Sequence, residues 1–193
     1  MKVVVAITAA SGAIYARQLL TSLVESSEVE RIAVIYSANA RAVVAHEGEE
    51  MPESSKIEEY DNDNLFASPA SGSARWDAMV VVPSSVGTIG RVASGVSQTL
   101  IERAADVMLK ERRRLIFVVR ETPYSLIHLR NMTTLTEAGA VILPATPSFY
   151  SLPKDIEAVC QTVTERITAM LGIEGKRYEW GKSTENGKVK TEN

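Results

Sequence analysis

The sequence predicts an α/β protein, a three-layer parallel sheet of Rossmann-like type in a single domain. Three observations carry this. Five short β-branched or apolar runs recur along the chain, at residues 3–7, 32–36, 78–82, 115–119 and 140–143. Between them lie segments with apolar residues at helical spacing, and strands that alternate with helices cross over to parallel neighbours. Finally, 193 residues of 45% hydrophobic content suffice to bury roughly 70% of the surface the unfolded chain exposes, with no disulfide or metal required.

The first run, VVVAI at 3–7, has one basic residue ahead of it, Lys2, and small residues beyond it near Ala9 and Ala13. That imitates a secretory signal, but the run is β-branched and shorter than the roughly 7–15 residues a signal core needs. It reads as a buried strand. The small-residue loop Thr8-Ala9-Ala10-Ser11-Gly12-Ala13 follows. A helix over 14–24 then gathers Ile14, Leu19, Leu20, Leu23 and Val24 on one face. Strand, small-residue loop and helix is an arrangement in which unpaired N–H groups at the helix start attract anions. The later runs repeat the theme, with helices expected over 39–46, 89–110, 125–138 and 156–171. On the last, Ile156, Val159, Cys160 and Val163 share a face, which makes the lone cysteine a core residue and not a nucleophile. Two stretches fall outside the repeat. Residues 47–63 are acidic and include Pro52, and with Asn62, Asn64 and the SPASGS run they read as a long exposed excursion. Residues 174–193 read as a polar tail behind a folded domain of 1–173, docked if anywhere at Tyr178 and Trp180.

Composition excludes several classes of function. With a net charge of −3 there is no global attraction to nucleic acid or to an anionic membrane. No apolar stretch approaches the roughly 20 residues that span a bilayer, so a soluble, cytoplasmic protein is expected. His46 and His128 lack Cys or acidic partners at ligand spacing, and no metal site is expected. The fingerprints G-x-G-x-x-G and G-x-x-x-x-G-K-[ST] are absent from the first loop, which argues against an NAD dehydrogenase or a P-loop NTPase.

In open parallel sheets, ligands bind beyond the carboxyl ends of the strands, near the switch in strand order. The residues expected there are Ser11 after the first strand, Ser37 after the second, Ser84, Ser85 and Thr88 after the third, Arg120 and Glu121 after the fourth, and Thr146 to Tyr150 after the fifth. Any one Ser or Thr is accounted for as a helix cap. Three hydroxyl-bearing loops and an arginine at one sheet edge point instead to an anionic ligand.

Four blocks, AASGAIYARQLL, SPASGSARWDAMVVVPSSVGT, LIERAADVMLKERRRLIFVVRETPYSLIHLRNM and GAVILPATPSFY, make the chain resemble the UbiX-type flavin prenyltransferases. The resemblance runs in order from the N-terminus to about Leu171. It implies a flavoprotein that joins the dimethylallyl unit of dimethylallyl phosphate to N5 and C6 of reduced FMN, without a metal. The product would serve a UbiD-type decarboxylase. Carried over motif by motif, the FMN contacts would be Ala9, Ala10, Ser11, Ser37, Ser85, Val86, Gly87, Thr88 and Arg120. The prenyl phosphate would be held by Lys110, Arg120, Tyr150, Arg166 and Arg103, with Glu121, Lys110, Glu47 and Tyr150 as the catalytic set. The family's homo-oligomer, a dodecamer, places its sites where subunits meet.

The chemistry suits those residue types. Breaking an allylic C–O bond leaves a phosphate that gains charge, which fixed cations stabilise, and a delocalised cation that an aromatic face stabilises. The isoalloxazine ring offers such a face, and an aromatic partner beside it would be Phe66, Trp180 or neither. Glu121 beside Arg120 would orient the guanidinium or assist proton transfer, a structural ion pair being the plainer reading of the same two residues. Arg103 and Lys110, seven apart on one helical pattern, are separated by about 10.5 Å along the axis, so some of these residues would serve a neighbouring subunit. The run from Lys110 to Arg114 otherwise reads as a basic helix end favoured by the macrodipole. Ala9 stands where the family usually has Gly, which matters if that position needs positive φ. Two alternatives compete: an FMN-dependent cysteine decarboxylase of the same fold, whose Pro-x-Met-Asn motif is replaced here by PATPSFY, and a non-catalytic flavin carrier, which would not need Lys110, Glu121, Tyr150 and Arg166 together.

Overall fold

The computed structural model describes residues 1–175 and Tyr178, so the rest of the expected tail, Trp180 included, lies outside the described residues. Six parallel strands form one sheet: β1 (Lys2–Ile7), β2 (Arg31–Tyr36), β3 (Ile57–Tyr60), β4 (Ala78–Ser84), β5 (Arg114–Val119) and β6 (Val141–Pro144). The helices are α1 (Ala13–Glu25), α2 (Ala40–His46), α3 (Val86–Ala93), α4 (Leu100–Lys110), α5 (Leu126–Glu137) and α6 (Ile156–Leu171). The strand order is β3-β2-β1-β4-β5-β6. The chain therefore builds outward from β1 to β3, then returns to β1's other side. That reversal leaves a crevice between the ends of β1 and β4, the position where open α/β sheets bind ligands.

Both faces of the sheet are covered, which is why its central strands are continuously apolar. Val3, Val5 and Ile7 pack with Leu19, Leu20 and Leu23 of α1 and with Val163 and Ile167 of α6. Val4 and Ala6, one residue out of phase, face the opposite layer, built from Ile89, Leu100, Ala104, Met108, Met132 and Leu135 of α3, α4 and α5. Cys160 sits in the first of these layers against Tyr15, where burial pushes the phenol up to about 12 and raises the thiol as well. A thiol held protonated in a core is a packing group, as its place on the α6 pattern predicts.

Two expectations are corrected. The acidic excursion is not wholly irregular, because Ile57–Tyr60 adds a sixth strand paired with β2 through Ile32↔Ile57 and Ile35↔Tyr60. As an edge strand it carries exposed Glu58 and Glu59, charges that hide the apolar signal and also protect the open edge from pairing with other chains. The helix expected over 89–110 is two helices. Ser94 ends α3, Gly95 adopts φ +73°, and a capping box at Thr99 and Glu102 starts α4.

Candidate active site at the carboxyl edge of the sheet

The crevice between β1 and β4 is closed at its base by Thr8. Its hydroxyl donates to the Pro83 carbonyl at 2.7 Å and accepts the Ser85 N–H at 2.9 Å, tying the two strand ends together. Above it Ala9 and Ser11 are exposed, and the N–H groups of Ala9, Ala10 and Ser11 find no acceptor among the described residues. Gly12 turns the chain into α1 with φ +107°. A Cβ there would stand 2.8 Å from the Tyr15 ring, so this position, and not Ala9, is where the loop demands glycine. Ala9 is not among the described residues with positive φ, which removes the objection to alanine in that place.

Glu47 is the residue whose setting the sequence misjudged most. It is no part of an exposed excursion. Placed by the end of α2, it accepts the Gly12 N–H at 3.0 Å and the Ala13 N–H at 2.7 Å, capping α1 with a carboxylate. Burial opposes its ionisation, yet hydrogen bonds from Ser11, Ala13 and Gly12 and the charge of Arg120 hold the carboxyl below the ordinary glutamate range. Since Glu47 already fills the positive end of α1, the free anion-attracting terminus at this crevice is that of α3. There Ser85 is the N-cap, accepting the Thr88 N–H at 3.3 Å, with the exposed Gly87 between them. Ser37 sits one strand over, its N–H bonded to the Ile7 carbonyl at 2.9 Å. Arg120 leaves β5 beside them, its N–H bonded to the Ser84 carbonyl at 3.1 Å and its side chain exposed. Glu121 turns back on its own loop and accepts the Thr122 N–H at 2.9 Å.

The structure thus brings together Ala9, Ala10, Ser11, Ser37, Glu47, Ser85, Val86, Gly87, Thr88, Arg120 and Glu121. Tyr150 and Arg166 follow at the same sheet edge one strand further on, beyond β6, whereas Arg103 and Lys110 lie on α4. Tyr150 stacks on Tyr178 with ring centres 6.3 Å apart. Arg166 on α6 lines a cleft of about 380 Å³ with Thr146, Ser148, Ser151, Thr162 and Tyr178, beyond the end of β6. Arg103 binds the Ala70 carbonyl and Asp106, and Lys110 pairs with Glu111 where α4 ends and the chain enters β5. Lys110 lies at the opposite edge of the sheet from Arg120, so within one chain the two do not meet at one phosphate. Sequence reasoning missed Thr8 and the Arg91–Glu102 pair behind Thr88. Glu102 was detectable from its Thr99-x-x-Glu102 spacing.

Among the described residues no group of three or more His, Cys, Asp or Glu is placed to hold a metal ion, and no helix is long and apolar enough to cross a membrane. The donor set fits FMN: free amides, a helix start and hydroxyls for a phosphate, and an open edge for a flat ring. Fold and site together define a flavin-binding α/β protein of Rossmann-like type. The Flavoprotein family model matches residues 1–171. Flavin prenyltransferase UbiX of Methanocaldococcus jannaschii is 41% identical over 185 residues, covering 94% of this chain and 99% of that protein. The solved structure of AnUbiX (PadA1) in complex with FMN and dimethylallyl pyrophosphate superposes with TM-score 0.85 at 38% identity, over 92% of this chain and 97% of that one. A dodecameric FMN-dependent UbiX-like decarboxylase from Escherichia coli O157:H7 gives TM-score 0.84 at 33% identity, over 93% and 100%. This chain belongs to the UbiX flavin prenyltransferase family.

Proposed function

We propose that the chain transfers the dimethylallyl group of dimethylallyl phosphate to N5 and C6 of reduced FMN, supplying prenylated FMN to a UbiD-type decarboxylase. The observation that carries this is a crevice lined by three backbone amides with no acceptor among the described residues, in a fold whose relative holds FMN together with a dimethylallyl ester. When bound, the reduced flavin supplies the nucleophilic centres. The chain's own residues do the rest. Ser37 after β2 and Ser85 at the start of α3 take the flavin phosphate, with the buried Thr88 supporting Ser85, because Glu47 occupies the corresponding place on α1. Ala9, Ala10 and Ser11 border the ring with small side chains. Arg120, whose charge acts on the Glu47 carboxyl, faces the departing prenyl phosphate, and a cation there lowers the barrier as the leaving group gains charge. Glu121, whose carboxylate accepts the Thr122 N–H of its own loop, handles the proton that the flavin loses.

Tyr150, Arg166, Arg103 and Lys110 complete the donor site across a subunit boundary, Lys110 and Arg103 reaching a neighbour. Exposed Leu126, Ile127 and Leu129 on α5, at 60%, 69% and 48%, suit burial in such an assembly. The homo-oligomer is inferred as a dodecamer, like the E. coli relative. The protein works in the cytoplasm, and its folded domain is 1–173. Fluorescence titration tests the flavin site, with tight 1:1 FMN binding expected. Affinity no better than that of an unrelated protein would remove the reading. Turnover should also persist in chelator, since the phosphate clamp consists of side-chain cations.

A further inference from the structure

Behind the flavin loop lies an ion pair to which the reaction assigns no part. Glu102, 2% exposed, is the third residue of α4. One carboxylate oxygen accepts the N–H groups of Gln98 and Thr99 at 2.9 and 3.1 Å, and the other accepts Nε of Arg91 on α3. The guanidinium is thereby fixed, and its Nη2 reaches Oγ1 of Thr88 at 3.3 Å. Thr88 Oγ1 in turn lies 3.0 Å from Ser85 Oγ.

The direction of that last bond follows from donor counting. An arginine has donors only, so the Thr88 oxygen must accept from it. Thr88 is 2% exposed, and among the described residues the one remaining partner of its hydroxyl is Ser85 Oγ, so the Thr88 proton goes there. Ser85 Oγ also accepts the Thr88 N–H, which fills its second lone pair. Its own proton is then left to point out of the loop. We propose that Arg91, anchored by Glu102, sets the polarity of the Ser85–Thr88 pair so that Ser85 meets the flavin phosphate as a hydrogen-bond donor. This makes Arg91 and Glu102 positioning residues, with Thr88 as the relay between them and Ser85, and it rests on the reading of Ser85 as a flavin contact. Without the guanidinium the pair can invert. Ser85 then donates to Thr88 and turns a lone pair toward a phosphate oxygen, two acceptors face to face.

The test is a double-mutant cycle on FMN affinity, read by fluorescence titration of the full chain. Arg91→Met is expected to weaken binding about 10-fold, the size of a lost hydrogen bond to a charged group. Arg91→Lys, also a pure donor, should restore part of the loss. Arg91 is half exposed, and a thermal melt of each variant checks that the fold stands. In a Ser85→Ala background Arg91→Met should cost nothing further, whereas in a Ser37→Ala background its full effect should remain. A merely structural arginine would weaken FMN equally in all three backgrounds, and that result overturns the proposal while leaving the flavin site intact. If Ser85→Ala binds FMN like the parent, the flavin assignment of the loop fails and the proposal falls with it.

Discussion

Replacing Glu47 by glutamine keeps an oxygen facing Gly12 and Ala13 but removes the charge from the start of α1. In the parent, one carboxylate accepts two backbone donors at 3.0 and 2.7 Å. A hydrogen bond to a charged group contributes about 1.5–3 kcal/mol against about 0.5–1.5 for a neutral one. The charge also gains about 0.3–1 kcal/mol from the helix terminus. Partial exposure of the site trims both, so the expected loss is about 1–2 kcal/mol at neutral pH. Each kcal/mol lowers the melting midpoint of a chain this size by about 2–4 °C.

The pH dependence isolates the charge. The folded carboxyl titrates below its ordinary value of about 4.5, so in that region the unfolded chain binds more protons than the folded one. The stabilisation is complete above about 4.5 and is lost as pH falls through the folded value. Differential scanning fluorimetry at matched protein concentration should show parent and variant separated at neutral pH and converging in acid. A gap that persists unchanged in acid, or no gap at neutral pH, would refute the assignment of Glu47 as an ionised cap.

Three further outcomes are expected. Tyr150→Phe and Arg166→Ala should each slow prenyl transfer about 10- to 150-fold through a lost phosphate contact while leaving FMN affinity nearly unchanged; comparable losses in both would reassign those residues to the flavin. Gly12→Ala must place a methyl 2.8 Å from the Tyr15 ring at φ +107°, and a denaturant series should record a loss of about 1–3 kcal/mol. Lys110→Ala and Arg120→Ala, each inactive alone, should regain part of their turnover when co-assembled, because an intact site then draws one residue from each chain. Absence of recovery in verified mixed assemblies would argue against sharing.

The fold was legible where burial on both faces leaves no room for polar residues, as in Val3, Val4 and Val5 or Leu115 and Ile116. It was hidden where a strand lies at the edge. Ile57 and Tyr60 bracket two glutamates that solvent tolerates, and the pattern matches a loop as well as a strand. The break before α4 carried its own signal, Gly95 followed by Thr99 and Glu102, but the apolar periodicity on either side outweighed it. Ser11, Ser37, Ser85, Thr88 and Arg120 were readable because strand ends in a parallel sheet share one edge. Glu47 entered the catalytic set only through the family resemblance. Its contact with Gly12 joins residues 35 apart in sequence, and nothing local encodes it. Lys110 shows the opposite case, a residue type that fits the chemistry while the topology carries it to the far edge of the sheet.

The fate of the flavin decides whether this chain is a prenyltransferase. The purified protein would be incubated anaerobically with reduced FMN and dimethylallyl phosphate, and the released flavin analysed by mass spectrometry. A flavin heavier by one C5H8 unit, with inorganic phosphate formed in equal amount, is the predicted result. Unmodified FMN and intact dimethylallyl phosphate, recovered from protein that demonstrably binds both, would contradict it.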